Sequence, residues 1–243
     1  MLCNKKILVV VPARGGSKGI KLKNIRPLRG VTLVDLVCKV VKQLTYVDRA
    51  IVSTDNDEIA KVAKGAGLDV PFMRPESISG DMIADWDVLH HALLATEEAD
   101  NKTYDIIIML QPTSPFRKPE HVTATVEKLI KGDFDAVWTI SETDSKSHPL
   151  KQLVLNGELI EYYDSENGPK VIARQQLLPV YHVNGLAYAF TRECLLNQET
   201  KKGKKTSAVV IKETIVNIDT EFDFELAAFL MHKINSGKIK IDV

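Results

Sequence analysis

Apolar residues run along this chain in two rhythms. Unbroken runs, of which Ile7-Leu8-Val9-Val10-Val11 is the first, are separated by stretches where apolar positions recur every three or four residues. An unbroken run of that length fits a strand buried on both faces, and the wider spacing fits a helix with one apolar stripe. Strands are therefore expected over residues 7–11, 49–53, 104–110 and 136–140, with a short extended piece over 70–73. Helices are expected over 32–44, 58–66, 84–98 and 119–131. Polar punctuation supports these limits. Thr54-Asp55-Asn56 can cap the second helix, Gly67 can stop it, and Pro119 suits a first helical turn. Strands joined by helices predict an α/β fold with a largely parallel, doubly wound sheet.

The rhythm changes near residue 150. Residues 150–155, the turn Asn156-Gly157 and residues 158–162 read as a β-hairpin. Residues 174–190 are extended, with strand character over 185–190, and Lys201-Lys202-Gly203-Lys204-Lys205 reads as an exposed loop. A strand over 208–211 and an amphipathic helix over 221–234 close the pattern. We expect one domain over 1–243, with 148–185 as a small inserted hairpin subdomain that serves dimerisation.

Composition narrows the function classes. Lys plus Arg and Asp plus Glu both number 32, so no global field draws the chain to nucleic acid or membrane. Anion binding must then be local. Cys3, Cys38 and Cys194 show no paired spacing and suggest a reducing compartment. The N-terminus passes into a strand too short for a signal h-region or membrane span, so a cytoplasmic, soluble protein is expected.

In doubly wound sheets, ligands bind beyond the carboxyl ends of the strands. After the first strand stands Pro12-Ala13-Arg14-Gly15-Gly16-Ser17-Lys18-Gly19, followed by Lys21, Lys23, Asn24 and Arg26. A glycine-rich turn in this position presents backbone N–H groups, and the basic side chains add fixed cations, which together predict a cradle for a nucleoside triphosphate. Neither G-x-x-x-x-G-K-[ST] nor G-x-G-x-x-G is present. The same rim should carry Ser53-Thr54-Asp55, then Gln111-Pro112-Thr113-Ser114-Pro115-Phe116-Arg117, then Asn217-Ile218-Asp219. No Ser/His/Asp or Cys/His arrangement emerges. Charge neutralisation and positioning of a phosphate reaction fit these residues better than covalent catalysis.

Those motifs carry a resemblance. The strand followed by P-A-R-G-G-S-K-G-I-x-x-K-N, V-S-T-D at 52–55, Arg74-Pro75, Q-P-T-S-P-F-R at 111–117, R-Q-x-L-P-x-Y-x-x-N-G from 174 to 185 and the closing N-I-D-T-E-F-D occur in this order. Together they resemble the acylneuraminate cytidylyltransferases, the CMP-sialic acid synthetases and their close relatives, over roughly residues 6 to 230. The resemblance implies a nucleotide-diphospho-sugar transferase-like fold, a homodimer, and Mg²⁺ or Mn²⁺ as cofactor. It also implies a reaction of CTP with a nine-carbon 2-keto sugar acid, giving the CMP-sugar and pyrophosphate.

Roles follow from the resemblance residue by residue. Arg14, Gly15, Gly16, Ser17, Lys18, Lys23, Asn24 and Arg74 would bind the nucleotide, with Lys18 facing the leaving pyrophosphate and Arg14 beside it in catalysis. Gln111 would stand between nucleotide and sugar and orient the reacting hydroxyl. Lys151, Arg174 and Tyr188 would approach the sugar acid, and an arginine fork suits a carboxylate. Asp219 and Asn217 would meet the metal. Three of these have plain alternatives that the sequence leaves open, Arg74 as a surface arginine, Tyr188 as a core tyrosine and Asp219 as a helix cap, and so has Asp81, which matches a family aspartate and could equally be a helix-entry residue.

One position departs from the family, where Asp-x-Asp usually stands in place of Asn217-Ile218-Asp219. An amide attracts a dication less than a carboxylate does, so weaker or triphosphate-dependent metal binding is expected, with Asp219 alone or Asp223 contributing. His90 and His91 are adjacent on a helix and make a poor metal pair, and Asp55, Asp57 and Glu58 read as the cap and first turn of a helix. The Gly-Ser-Lys-Gly-Ile form of the first loop resembles synthetases for sialic or legionaminic acid more than those for KDO or pseudaminic acid. A sugar-1-phosphate nucleotidyltransferase and a catalytically silent nucleotide-binding module are the other readings.

Overall fold

The computed structural model describes residues 2–236. Its strands are β1 (Ile7–Pro12), β2 (Pro27–Leu28), β3 (Val31–Thr32), β4 (Arg49–Ser53), β5 (Ile106–Met109), β6 (Ala136–Glu142), β7 (Leu153–Asn156), β8 (Leu159–Tyr162), β9 (Tyr181–Thr191) and β10 (Thr206–Val210). Its helices are α1 (Leu33–Val41), α2 (Asp57–Ala66), α3 (Asp85–Asp100), α4 (Pro119–Lys131), α5 (Arg192–Asn197) and α6 (Glu221–Asn235). The main sheet has six strands in the order β10-β6-β9-β5-β1-β4. β1 lies parallel to β4 and β5, and β10 lies parallel to β6. Only β9 runs against its neighbours β5 and β6. The sheet is thus largely parallel, as the unbroken apolar runs predict.

Burial follows the pleat. Ile7, Val9 and Val11 of β1 pack with α1, α2 and α4, while Leu8 and Val10 pack with α3 and α5 on the other face. A third cluster joins Ile20, Leu28 and Leu33 to Val216, Ile218 and Phe224, seating the basic loop and the segment before α6 against each other. Helix limits have chemical causes. Thr32 and Asp35 form a capping box on α1, Asn56 caps α2, and Gly67 ends α2 at φ 92°. Thr220 and Asp223 form a capping box on α6.

Several expectations shift. Residues 70–73 form no strand; a single bridge pairs Asp69 with Ile51. The hairpin is shorter than expected, because Pro149–Lys151 make a 3₁₀ turn before β7. β9 begins four residues before Gly185 and bulges, so that Trp138 pairs with Tyr188 and Ile140 with Val183. The small β2–β3 hairpin was not expected. Its Arg29-Gly30 turn has φ of 51° and 84°, which only a short turn of this hand requires.

The β7–β8 hairpin stands off the main sheet, with Leu155, Leu159 and Ile160 exposed. Among the described residues, no helix is long and apolar enough to cross a membrane.

Candidate active site

A cleft of about 620 Å³ opens beyond the carboxyl ends of β1 and β5. Its walls include Arg14, Ser17, Lys18, Lys23, Asn24, Arg74, Asp81, Asp85, Gln111, Asn217 and Asp219. Thus four segments far apart in sequence meet where the rim rule places a ligand.

The basic loop is held by bonds from Asn24 and to Asp55. Asn24, itself buried, donates from Nδ2 to the Arg14 carbonyl at 3.0 Å. Gly15 donates its N–H to Asp55 Oδ1 at 2.8 Å, and a methyl there would lie 2.9 Å from Asn56 Cβ. That N–H is therefore spent on Asp55, a correction to the expectation that it stays free for a ligand. Gly15 is needed instead for close approach to the start of α2. Gly16 has open space around its Cα and does not line the cleft. Cation side chains, more than backbone amides, make this an anion site.

Asp81 occupies those cations. Arg14 Nη1 lies 2.8 Å from Asp81 Oδ1, and Lys18 Nζ lies 2.6 Å from Oδ2. The Lys18 ammonium, hydrogen-bonded to it, holds the Asp81 carboxyl below the usual carboxylate range. A carboxylate bridging two cations has the charge pattern of a phosphate group, so Asp81 stands where an anionic ligand would bind. It lies in the loop before α3, and neither caps that helix nor enters it.

Arg74 is buried, which excludes the surface-arginine reading. Its Nη2 donates to the Ser53 carbonyl at 2.6 Å, and its backbone N–H donates to Thr54 at 2.7 Å. Burial lowers its pKa, partly offset by Asp55. Among the described residues its Nε has no hydrogen-bond partner, leaving a buried donor at the cleft wall.

Gln111 rises from the end of β5. A methyl on Gly185 would lie 2.8 Å from Gln111 Oε1 and 2.5 Å from Ser114 Oγ, so the carboxamide rests on the β9 bulge. Gly185 has φ 74° and no side chain, and both properties are needed here. Ser114 donates to the Asn184 carbonyl at 3.2 Å and Thr113 accepts from the Ile218 N–H at 2.8 Å. Both residues brace loops, Ser114 through its hydroxyl and Thr113 through its backbone carbonyl.

The metal candidates sit side by side in the cleft wall. Asn217 Oδ1 faces Ser114 Oγ at 3.4 Å, and Asp219 Oδ1 is paired with Lys23 Nζ at 3.0 Å. Asp223 is taken by the α6 cap and also accepts from the Asp219 N–H, so it is not a free ligand. Asp219 does not cap α6, since Thr220 does. Among the described residues no group of three or more His, Cys, Asp or Glu could hold a metal. One carboxylate and one amide fit a dication that arrives on a polyphosphate, and do not fit one caged by protein alone.

Three expected sugar contacts lie elsewhere. Tyr188 is buried against Trp138, their ring centroids 5.8 Å apart, and does not line the cleft. Burial, with Asp85 nearby, pushes its hydroxyl up to about 12. Arg174 lines a separate hollow of about 310 Å³ with Glu142, Ser145 and His148, and Lys151 is exposed at the base of the hairpin. Both leave the cleft because the inserted segment turns away from the sheet.

Sequence reasoning passed over Asp85, Gly185 and the role of Arg117. Asp85 looks like an ordinary first-turn acid, yet it lines the cleft and pairs with Lys201 at 2.6 Å. A glycine in mid-strand was the available signal for the Gly185 bulge.

The model of a family described as "Cytidylyltransferase" matches residues 8–223. The chain is 30% identical to post-translational flagellin modification protein B of Campylobacter coli, covering 95% of this chain and 97% of that one. It is 31% identical to CMP-N,N'-diacetyllegionaminic acid synthase of Legionella pneumophila, covering 93% and 96%. Among solved structures, a CMP:2-keto-3-deoxy-manno-octonic acid synthetase complexed with CTP superposes with a TM-score of 0.69 at 18% identity, over 94% of this chain and 99% of that one.

Proposed function

The chain belongs to the cytidylyltransferase family, and on that premise we propose that its cleft joins CTP to a nine-carbon 2-keto sugar acid of the sialic or legionaminic type. The observation that carries this reading is the convergence of Arg14, Lys18, Lys23 and Arg74 with Gln111 and Asp219 in one cleft. The C2 hydroxyl oxygen of the sugar forms a bond to the α-phosphorus, the bond to the pyrophosphate oxygen breaks, and the hydroxyl proton passes to water. Arg14 and Lys18 neutralise the leaving pyrophosphate, Arg74 binds along the nucleotide, and Gln111 orients the hydroxyl. Asp219, with Asn217 beside it, would hold Mg²⁺ or Mn²⁺ brought by the triphosphate. Such an ion supplies charge neutralisation on the phosphate oxygens.

The test is pyrophosphate release from CTP across N-acetylneuraminic, legionaminic, pseudaminic, KDO and 8-amino-KDO acids. Turnover with the first two and little with the others supports the reading. CTP binding without turnover on any of them overturns it.

Asp81 adds a prediction. Because it competes with the triphosphate for Arg14 and Lys18, Asp81→Asn should tighten CTP binding by about threefold, the scale of exposed ion pairs. Calorimetric titration with CTP measures this, and weaker binding would show that Asp81 helps hold the nucleotide.

The chain acts as a homodimer in this reading, with the hairpin region as the contact. Leu155, Leu159, Ile160, Ile172 and Leu178 are exposed there, and a two-stranded hairpin has little stability alone. Arg174 and Lys151, remote from their own cleft, would serve the partner's. Mixing inactive Lys18→Met and Arg174→Ala chains and letting subunits exchange should then restore about a quarter of the wild-type rate. Half of the dimers are mixed, and each mixed dimer has one intact site. No recovery, with a dimer confirmed by sedimentation, would place Arg174 outside the partner's site.

A further inference from the structure

Arg117 carries a positive charge into the interior of the fold. Its guanidinium is buried, and among the described residues no carboxylate pairs with it. Three backbone carbonyls take the place of a counterion. Nε donates to Leu186, and Nη2 donates to Gln111 at 2.5 Å and to Gly185 at 3.0 Å. Burial pushes its pKa down to about 9, so the group is charged at neutral pH.

A buried cation held by carbonyls alone is an expensive way to fill a core, where a leucine or methionine would serve. What the guanidinium does that an apolar side chain would not is tie two segments at fixed spacing. One is the loop after β5, through the Gln111 carbonyl, and the other is the β9 bulge, through Gly185 and Leu186. Thr139 holds the same bulge from the β6 side, with Oγ1 donating to Asn184 Oδ1 at 2.7 Å and accepting from the Ala187 N–H at 3.0 Å. The Gln111 carboxamide sits directly on Gly185, so the distance between the segments decides where that carboxamide stands in the cleft.

We propose that Arg117 is a positioning residue, whose three-carbonyl clamp sets the Gln111 side chain against the sugar end of the cleft. The catalytic consequence rests on the reading of Gln111 given above; the clamp itself does not. Arg117 is not among the cleft walls and acts through Gln111.

Arg117→Lys keeps the charge but gathers its donors on one nitrogen, without the planar fork whose Nε and Nη2 span the three carbonyls. With the folded variant, CTP affinity should stay within about twofold of wild type, while kcat falls by about 10- to 100-fold, the cost of misplacing an orienting group. A Tm loss accompanied by equal losses of CTP affinity and turnover, or no change in turnover, would overturn the proposal. Side-chain amide NMR supplies a readout independent of activity. The Gln111 carboxamide resonance, assigned by its disappearance in Gln111→Ala, should shift in Arg117→Lys while the backbone amides of the basic loop stay in place. An unmoved Gln111 resonance overturns the clamp even if no sugar acid is ever turned over. A shifted resonance with no turnover by wild type on any sugar acid upholds the clamp and overturns the functional reading alone. If Arg117→Lys does not fold, Arg117→Met fills the same space with no donor for the three carbonyls. It should move the same resonance with CTP affinity retained, and an unmoved resonance overturns the proposal.

Discussion

Lys18→Met is expected to lower kcat for pyrophosphate release by about 10²- to 10³-fold, the loss that follows removal of one preorganised group from a developing anion. Its melting temperature should stay within about a degree of wild type, because surface substitutions of this kind are nearly neutral. The Lys18 side chain is 81% exposed, and among the described residues its one ion pair is with Asp81. Nothing in the core depends on it. The reaction does, because charge on the leaving pyrophosphate grows as the bond to the α-phosphorus breaks, and an ammonium at the cleft wall gains most at that moment. CTP affinity should fall much less than kcat. Steady-state kinetics at saturating CTP, with calorimetric CTP binding, separates the two. A raised KM with unchanged kcat would mean that Lys18 binds ground and transition states equally and has no special part in departure.

The residues that could be read in the sequence are those whose chemistry is local. The Arg14-to-Asn24 loop follows an unbroken apolar strand, and that strand is the centre of the parallel half of the sheet. Gln111 follows another such strand, so both could be placed on one rim before any fold was known. What the sequence hid depends on contacts made across long distances. Nothing around residue 15 shows that its N–H goes to Asp55, or that Asp81 crosses to Arg14 and Lys18. Arg117 reads as one more basic loop residue until the fold closes three carbonyls around it. Tyr188 stands away from the cleft walls for a related reason. Alternation on β9 assigned it a face but could not show that α3 covers that face, where its ring packs in the same cluster as Leu89 and Leu93.

The antiparallel β9 was also beyond local reading. A strand entered from a parallel crossover and one entered from an inserted hairpin have the same apolar pattern. Only the return path through residues 143–180 fixes its direction, and that path is a two-stranded hairpin with short 3₁₀ turns in place of a crossover helix. The consequence reaches the site, because the reversed strand brings the Gly185 bulge beneath Gln111.

Gly19→Ala is the second change with a large expected effect, and it acts through space alone. A methyl on Gly19 would overlap the backbone carbonyl of Asp219. That carbonyl has little room to retreat. The Ile218 N–H is bonded to Thr113 at 2.8 Å, Lys23 Nζ is bonded to the Ile218 carbonyl at 2.6 Å, and Ile218 packs against Ile20 in the third cluster. Forcing the segments apart should cost about 1–3 kcal/mol of stability, the usual scale of overpacking. Through the Ile218–Thr113 bond the displacement reaches the Gln111 loop, and through Lys23 it reaches Asp219. A shift of about 1 Å at groups that orient a reaction lowers kcat/KM by about 10²-fold. Denaturant unfolding gives the first quantity and steady-state kinetics the second. Gly16→Ala is the stability control, since a methyl there meets nothing within 4 Å among the described residues. If the two variants unfold at the same denaturant concentration, the close approach of Gly19 to Asp219 does not join the basic loop to the metal-facing segment.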